Sequence, residues 1–151
     1  MLKPIVLKKL NGSKLKIAVI QAKFNEKITD NLLSGCLKAL EYNNVKNNNI
    51  KIFEVSGAFE LPLMAKKLAS KFDVVICLGA VIRGGTPHFD YVCSESARGI
   101  MDVTLQTQKP IIFGVITCDN LKQAIERSSN STKNKGWQAG VAGVEMGSIK
   151  F

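Results

Sequence analysis

His88 is the only histidine of this chain, and it stands in a turn rich in glycine: Arg83-Gly84-Gly85-Thr86-Pro87-His88-Phe89-Asp90. Imidazole is the side chain that exchanges protons near neutral pH. Two glycines and a hydroxyl between a strand and a helix leave backbone N–H groups free to meet an anion. Pro87 biases Thr86 toward an extended backbone, so the turn reads as rigidly specified. Phosphate binding beside an acid/base group is the chemistry suggested. The plainer alternative is a tight turn leading into a helix that His88 merely starts.

Three other places carry similar double readings. Ser56-Gly57-Ala58-Phe59-Glu60 sets a carboxylate and an aromatic ring on one turn. Such a turn suits a polyhydroxylated or heterocyclic ligand, although Glu60 at a helix start also complements the helix dipole. Phe24 leaves the first strand either as core filler or as a stacking plate. Arg127, one of three arginines, reads as a cation at a helix C-terminus or as a bidentate phosphate ligand.

These residues need a scaffold, and the chain has the size of one domain, 151 residues with 46% hydrophobic and 22% charged content. No apolar run approaches the roughly 18–20 residues of a membrane span, and Met1-Leu2-Lys3-Pro4-Ile5 lacks the long apolar segment expected of a secretion signal. Cys36, Cys77, Cys93 and Cys118 fall in four different elements without a C-x-x-C pair, which argues for reduced, buried thiols in a cytoplasm and against zinc. The net charge of +9 raises nucleic acid as a partner. The lysines are scattered, however, and no aromatic residues interleave with them as a stacking platform requires, so no nucleic-acid role is expected.

Hydrophobic patterning predicts strands at 15–20, 50–55, 73–82 and 111–117. Helices are predicted from Asn25 to about Tyr42, from Leu61-Pro62 onward, over Tyr91–Gln108, from an Asp119 cap to about Ser128, and from Trp137 to about Met146. Solid apolar strands alternating with helices imply an α/β fold whose parallel sheet is covered on both faces. The turns at 21–25, 56–60, 83–90 and 118–119 then all leave the carboxyl ends of the strands, where ligands of such sheets bind.

Read together, the turns resemble the lumazine synthase family from about residue 15 onward. The matching pieces are Phe24-Asn25, Gly57-Ala58-Phe59-Glu60-Leu61-Pro62, the run Gly79 to Asp90, Pro110 to Val115, Ala124-Ile125-Glu126-Arg127 and Asn134-Lys135-Gly136. The resemblance implies a single three-layer αβα domain, residues 15–151, with a four-stranded parallel sheet in flavodoxin-like order. Residues 1–14 form an arm whose Pro4-Ile5-Val6-Leu7 is expected to pair with a neighbour's sheet edge.

It also implies a transferase of riboflavin biosynthesis that works without cofactor or metal. The reaction condenses 5-amino-6-(D-ribitylamino)uracil with 3,4-dihydroxy-2-butanone 4-phosphate to give 6,7-dimethyl-8-ribityllumazine, phosphate and water. By the same resemblance His88 is the acid/base group, and Gly85, Thr86 and Arg127 hold the phosphate. Phe24 with Ala80, Val81 and Ile82 brackets the uracil ring, while Ala58, Phe59 and Glu60 meet ring and ribityl groups. Phe113 comes from a neighbouring subunit, because family sites lie between subunits of a pentamer. The compact Arg127-to-Trp137 segment suits members that build icosahedral shells, and riboflavin synthase is a candidate partner.

The family usually reads Ala-Gly-Thr-Lys after the arginine; this chain has Ser128-Ser129-Asn130-Ser131. Weaker phosphate binding is the expectation, with Lys133 or Lys135 as candidate substitutes. Two competing readings follow: a shell protein with a vestigial site, and a flavin- or lumazine-binding relative without catalysis.

Overall fold

Burial on both faces of a sheet favours apolar side chains along a strand, and two strands here come close, one of them broken only by the buried Gln21, whose amide donates to Thr29 and Asp30. The computed structural model describes residues 9–150. β1 (Ile17–Ala22), β2 (Ile50–Val55), β3 (Val74–Ile82) and β4 (Ile111–Cys118) form one parallel sheet in the order β2-β1-β3-β4. β1 is buried throughout and β3 from Val74 to Ala80, as central strands should be.

Three crossover helices join the strands: α1 (Glu26–Tyr42), α2 (Leu61–Ala69) and α3 (His88–Thr107). α4 (Leu121–Arg127) and α5 (Lys135–Gly147) follow β4. α1 and α5 pack on one face of the sheet, α2 and α3 on the other. The side-chain alternation of the strands feeds both layers. Ile17, Val19, Val74, Ile76 and Leu78 join the cluster under α1 and α5, whereas Ala18, Ile20, Val75 and Cys77 join the one under α2 and α3. The expected three-layer α/β architecture is therefore present.

α1 and α5 approach so closely that a Cβ on Gly136 would stand 1.9 Å from the Leu32 carbonyl oxygen. Only glycine fits between those two backbones.

Several boundaries differ from the sequence reading. β1 starts at Ile17, the first residue in register with both Ile50 and Val74. α3 starts at His88 rather than Tyr91, because Pro87 sits at φ −65°, already shaped for the first turn. α5 starts at Lys135, since the buried Asn134 side chain accepts from the Trp137 N–H at 3.0 Å. The cap of α4 is Asn120, not Asp119. Asn120 is extended and accepts from the Gln123 N–H at 2.9 Å, while the Asp119 carboxylate is bound to Arg83. The arm pairing expected at Pro4-Ile5-Val6-Leu7 lies outside the described residues.

Candidate active site

The carboxyl ends of β1, β2 and β3 are stitched together before any side chain is considered. Past the end of β1, the Lys23 N–H donates to the Val55 carbonyl (2.9 Å) and the Phe24 N–H to that of Ser56 (3.0 Å). Asn25 then takes a left-handed conformation, φ 60°, which asparagine tolerates better than most residues. Its Nδ2 donates to the Ala80 carbonyl on β3 at 2.8 Å. Phe24 is thereby held as an aromatic ring 72% exposed on the rim. On the neighbouring turn, Ala58–Glu60 forms one 3₁₀ turn that presents Phe59, also exposed, and Glu60.

From the end of β3 the chain enters the glycine turn. Among the described residues, the N–H groups of Gly84, Gly85 and Thr86 meet no hydrogen-bond acceptor. Neither glycine has a positive φ, and a Cβ on either would meet nothing within 4 Å. The protein's own packing thus does not require glycine at 84 or 85. The Thr86 hydroxyl accepts weakly from the His88 N–H at 3.4 Å, and His88 is exposed as the first residue of α3.

These turns enclose a cavity of about 810 Å³. Phe24, Ala58, Phe59, Glu60, Ala80, Val81, Ile82, Thr86 and His88, all singled out from the sequence, line it together. Gly84 lines it where Gly85 was expected, and Ser56, Gly57, Phe89, Tyr91 and Val92 complete the wall. Tyr91 and Val92 were not anticipated, because α3 begins earlier than the periodicity indicated and its first turn faces the cavity.

Phe113 and Arg127 are elsewhere. They line a second cavity, about 380 Å³, between β4 and α5. Lys135 and Gln138 share that wall, with the Lys135 ammonium donating to the Gln138 side-chain Oε1 at 3.1 Å. Arg127 donates to the Gln123 carbonyl one turn back at 3.3 Å. Within one chain, then, Arg127 does not join Gly85 and Thr86. Ser131 lines neither cavity; it faces a small pocket with Lys38 and Trp137 against α1. Lys135, not Lys133, is the lysine placed beside Arg127.

Arg83 was not assigned a part, yet it holds the glycine turn from outside. Its Nε donates to Asp119 at 3.1 Å and an Nη to Asp90 at 3.3 Å, while its guanidinium lies 4.3 Å from the Phe89 ring centre. The Asp119 hydrogen bond, ahead of the pull of Asp90, raises its pKa further. Nearby, burial pushes the Cys93 and Cys118 thiols up. Among the described residues no three His, Cys, Asp or Glu side chains cluster as metal ligands would, and no helix is long and apolar enough to cross a membrane.

The arrangement can stack a planar ring on Phe24, hydrogen-bond its substituents at the 57–60 turn, and offer consecutive N–H groups to an anion beside an imidazole. Comparison with known families agrees with that chemistry. The family model described as 6,7-dimethyl-8-ribityllumazine synthase matches residues 14–150. With nearly its whole length matched, this chain belongs to the lumazine synthase family, transferases of riboflavin biosynthesis.

Proposed function

We propose that the chain condenses 5-amino-6-(D-ribitylamino)uracil with 3,4-dihydroxy-2-butanone 4-phosphate, giving 6,7-dimethyl-8-ribityllumazine, phosphate and water. The observation that carries this reading is the convergence of Phe24, the 57–60 turn, the end of β3, Thr86 and His88 on one cavity. Phe24 and Val81 suit the two faces of the uracil ring. Glu60 and the backbone of the 57–60 turn suit ring and ribityl polar groups. The Gly85-Thr86 turn suits the phosphate, because three adjacent N–H groups point at no protein acceptor.

Amine attack on the ketone, dehydration to a Schiff base, loss of phosphate and ring closure each move protons. His88 lines the cavity and is the group proposed to move them. Holding two reactants together supplies much of the rate.

Phe113, Arg127 and Lys135 complete the site from a neighbouring subunit in this reading. Supporting it, they form a cavity of their own on the far edge of the sheet, and Leu63, Met101 and Leu105 leave apolar surface exposed on α2 and α3. The assembly is a pentamer, and the short 128–136 segment favours a shell of pentamers. Light scattering that detects only pentamers at high concentration rejects the shell.

Incubation with both substrates should yield the lumazine by mass spectrometry with one phosphate released per product. Absence of product from the unmodified chain overturns the reading. The Ser128-Ser129-Asn130-Ser131 stretch favours a second reading, a shell protein with a vestigial site. Turnover in the same preparation whose particle mass is measured decides between the two.

A further inference from the structure

We propose that Arg83 is a positioning residue for this reaction, clipping Asp90 on α3 to Asp119 beyond β4 and thereby fixing His88 against the Gly84–Thr86 turn. The proposal rests on the reading of the cavity given above. His88 opens α3, so its place depends on how the first turn of that helix is held. That turn has little else to hold it. Residues 83–88 are all exposed, and only Phe89 is buried beneath them.

Arg83 contacts this unsupported segment in three ways. Its backbone N–H donates to the Cys118 carbonyl at 2.8 Å, continuing the β3–β4 ladder past Ile82. Its guanidinium fork reaches Asp119 on one side and Asp90 on the other. The central carbon of the fork lies over the Phe89 ring, next in sequence to His88. Arg83 and Asp90 thus close the ends of the loop that contains both glycines, Thr86 and His88. Arg83 does not line the cavity, so it acts through the loop and not on a substrate.

The chemistry requires arginine. A planar fork can bind two carboxylates and stack on a ring at once, whereas a lysine ammonium is a point charge that satisfies one of these partners at a time. The pairs are exposed, with Asp90 and Asp119 side chains 63% and 66% accessible, and such pairs add little to global stability. The effect therefore belongs in the rate rather than in melting.

The test uses the full chain with Arg83→Met, Arg83→Lys, Asp119→Asn, His88→Ala and the double variant R83M/H88A. In the intact background Arg83→Met should lower kcat about ten-fold or more, with both KM values within about three-fold. Arg83→Lys should recover part of the loss, and melting should move by less than about 3 °C. Because Arg83 acts through His88, Arg83→Met in the His88→Ala background should cost less than about two-fold more. The same multiplicative penalty in both backgrounds, or an unchanged kcat, overturns the proposal. If Arg83→Met fails to fold, Asp119→Asn carries the test, and a wild-type kcat there also overturns it. Loss of the reaction in the unmodified chain is a separate result: it removes the functional reading before any substitution is made.

Discussion

Replacing Gly84, the glycine that lines the cavity, with alanine separates what the protein needs at this turn from what a ligand would need. The added methyl meets no protein atom within 4 Å, and the position has no positive φ to strain. On packing alone the substitution is harmless. Removing glycine's freedom from the unfolded chain should stabilise by about 0.4–1 kcal/mol. For a chain of this length that raises the melting temperature by roughly 1–4 °C.

A phosphate seated on the N–H groups of residues 84–86 would instead meet the methyl directly. Loss of one hydrogen bond to a charged group costs about 1.5–3 kcal/mol, which is roughly a ten- to hundred-fold rise in KM for the butanone phosphate. The KM for the ribitylaminouracil should stay within about three-fold, since its proposed contacts lie at Phe24 and the 57–60 turn. Thermal melts and steady-state kinetics with each substrate varied in turn give both numbers. An unchanged phosphate-substrate KM refutes the cradle. A melting temperature lowered by several degrees refutes the packing argument.

Other expectations concern catalysis, packing and pH. His88→Ala should lower kcat by about 10²–10⁴ while substrate affinity is nearly retained, as acid/base catalysis requires; unchanged turnover removes the assignment. Gly136→Ala places a methyl 1.9 Å from the Leu32 carbonyl oxygen, so α5 must shift off α1. A loss of about 3 kcal/mol or more by urea unfolding is expected, and a loss under about 1 kcal/mol contradicts the observed approach.

Burial raises Cys36 and Cys77 from 9.0 to about 12. The folded state holds these protons more tightly than the unfolded one. Their contribution is therefore intact below pH 9 and is lost as pH rises through the 9–12 window, by about 1.4 kcal/mol per thiol per pH unit. The Cys36→Ala/Cys77→Ala variant should show a correspondingly shallower alkaline slope in unfolding free energy. Equal slopes argue against the effect.

Much of the scaffold was readable because burial leaves a plain signature. Val74 to Ile82 is apolar at every position, which suits a strand covered on both faces, and the 83–90 turn follows directly from it. Phe24, Ala58–Glu60 and Thr86 were traceable to one rim because parallel strands place all their exits on the same side. Contacts between distant segments were not readable. Arg83 and Asp119 are 36 positions apart, and they meet only because Ile82 is in register with Cys118. Asp119 looked like a helix cap since nothing local revealed its partner. The grouping of Arg127 with Lys135 likewise depends on how α5 docks against β4, a packing outcome that neither residue's neighbours encode.

His88 and Arg127 line two separate cavities of one chain, so under the proposed reading activity is a property shared between neighbouring copies. In the proposed ring every chain would lend Arg127 to one neighbour and accept it from the other, so complete sites would equal chains in number. Rings unfolded and reassembled from equal amounts of His88→Ala and Arg127→Ala chains should then regain activity that neither parent has. Random mixing pairs an intact His88 with an intact Arg127 at about one site in four. Half-sites that belonged to the same chain would leave the mixture as inactive as its parents.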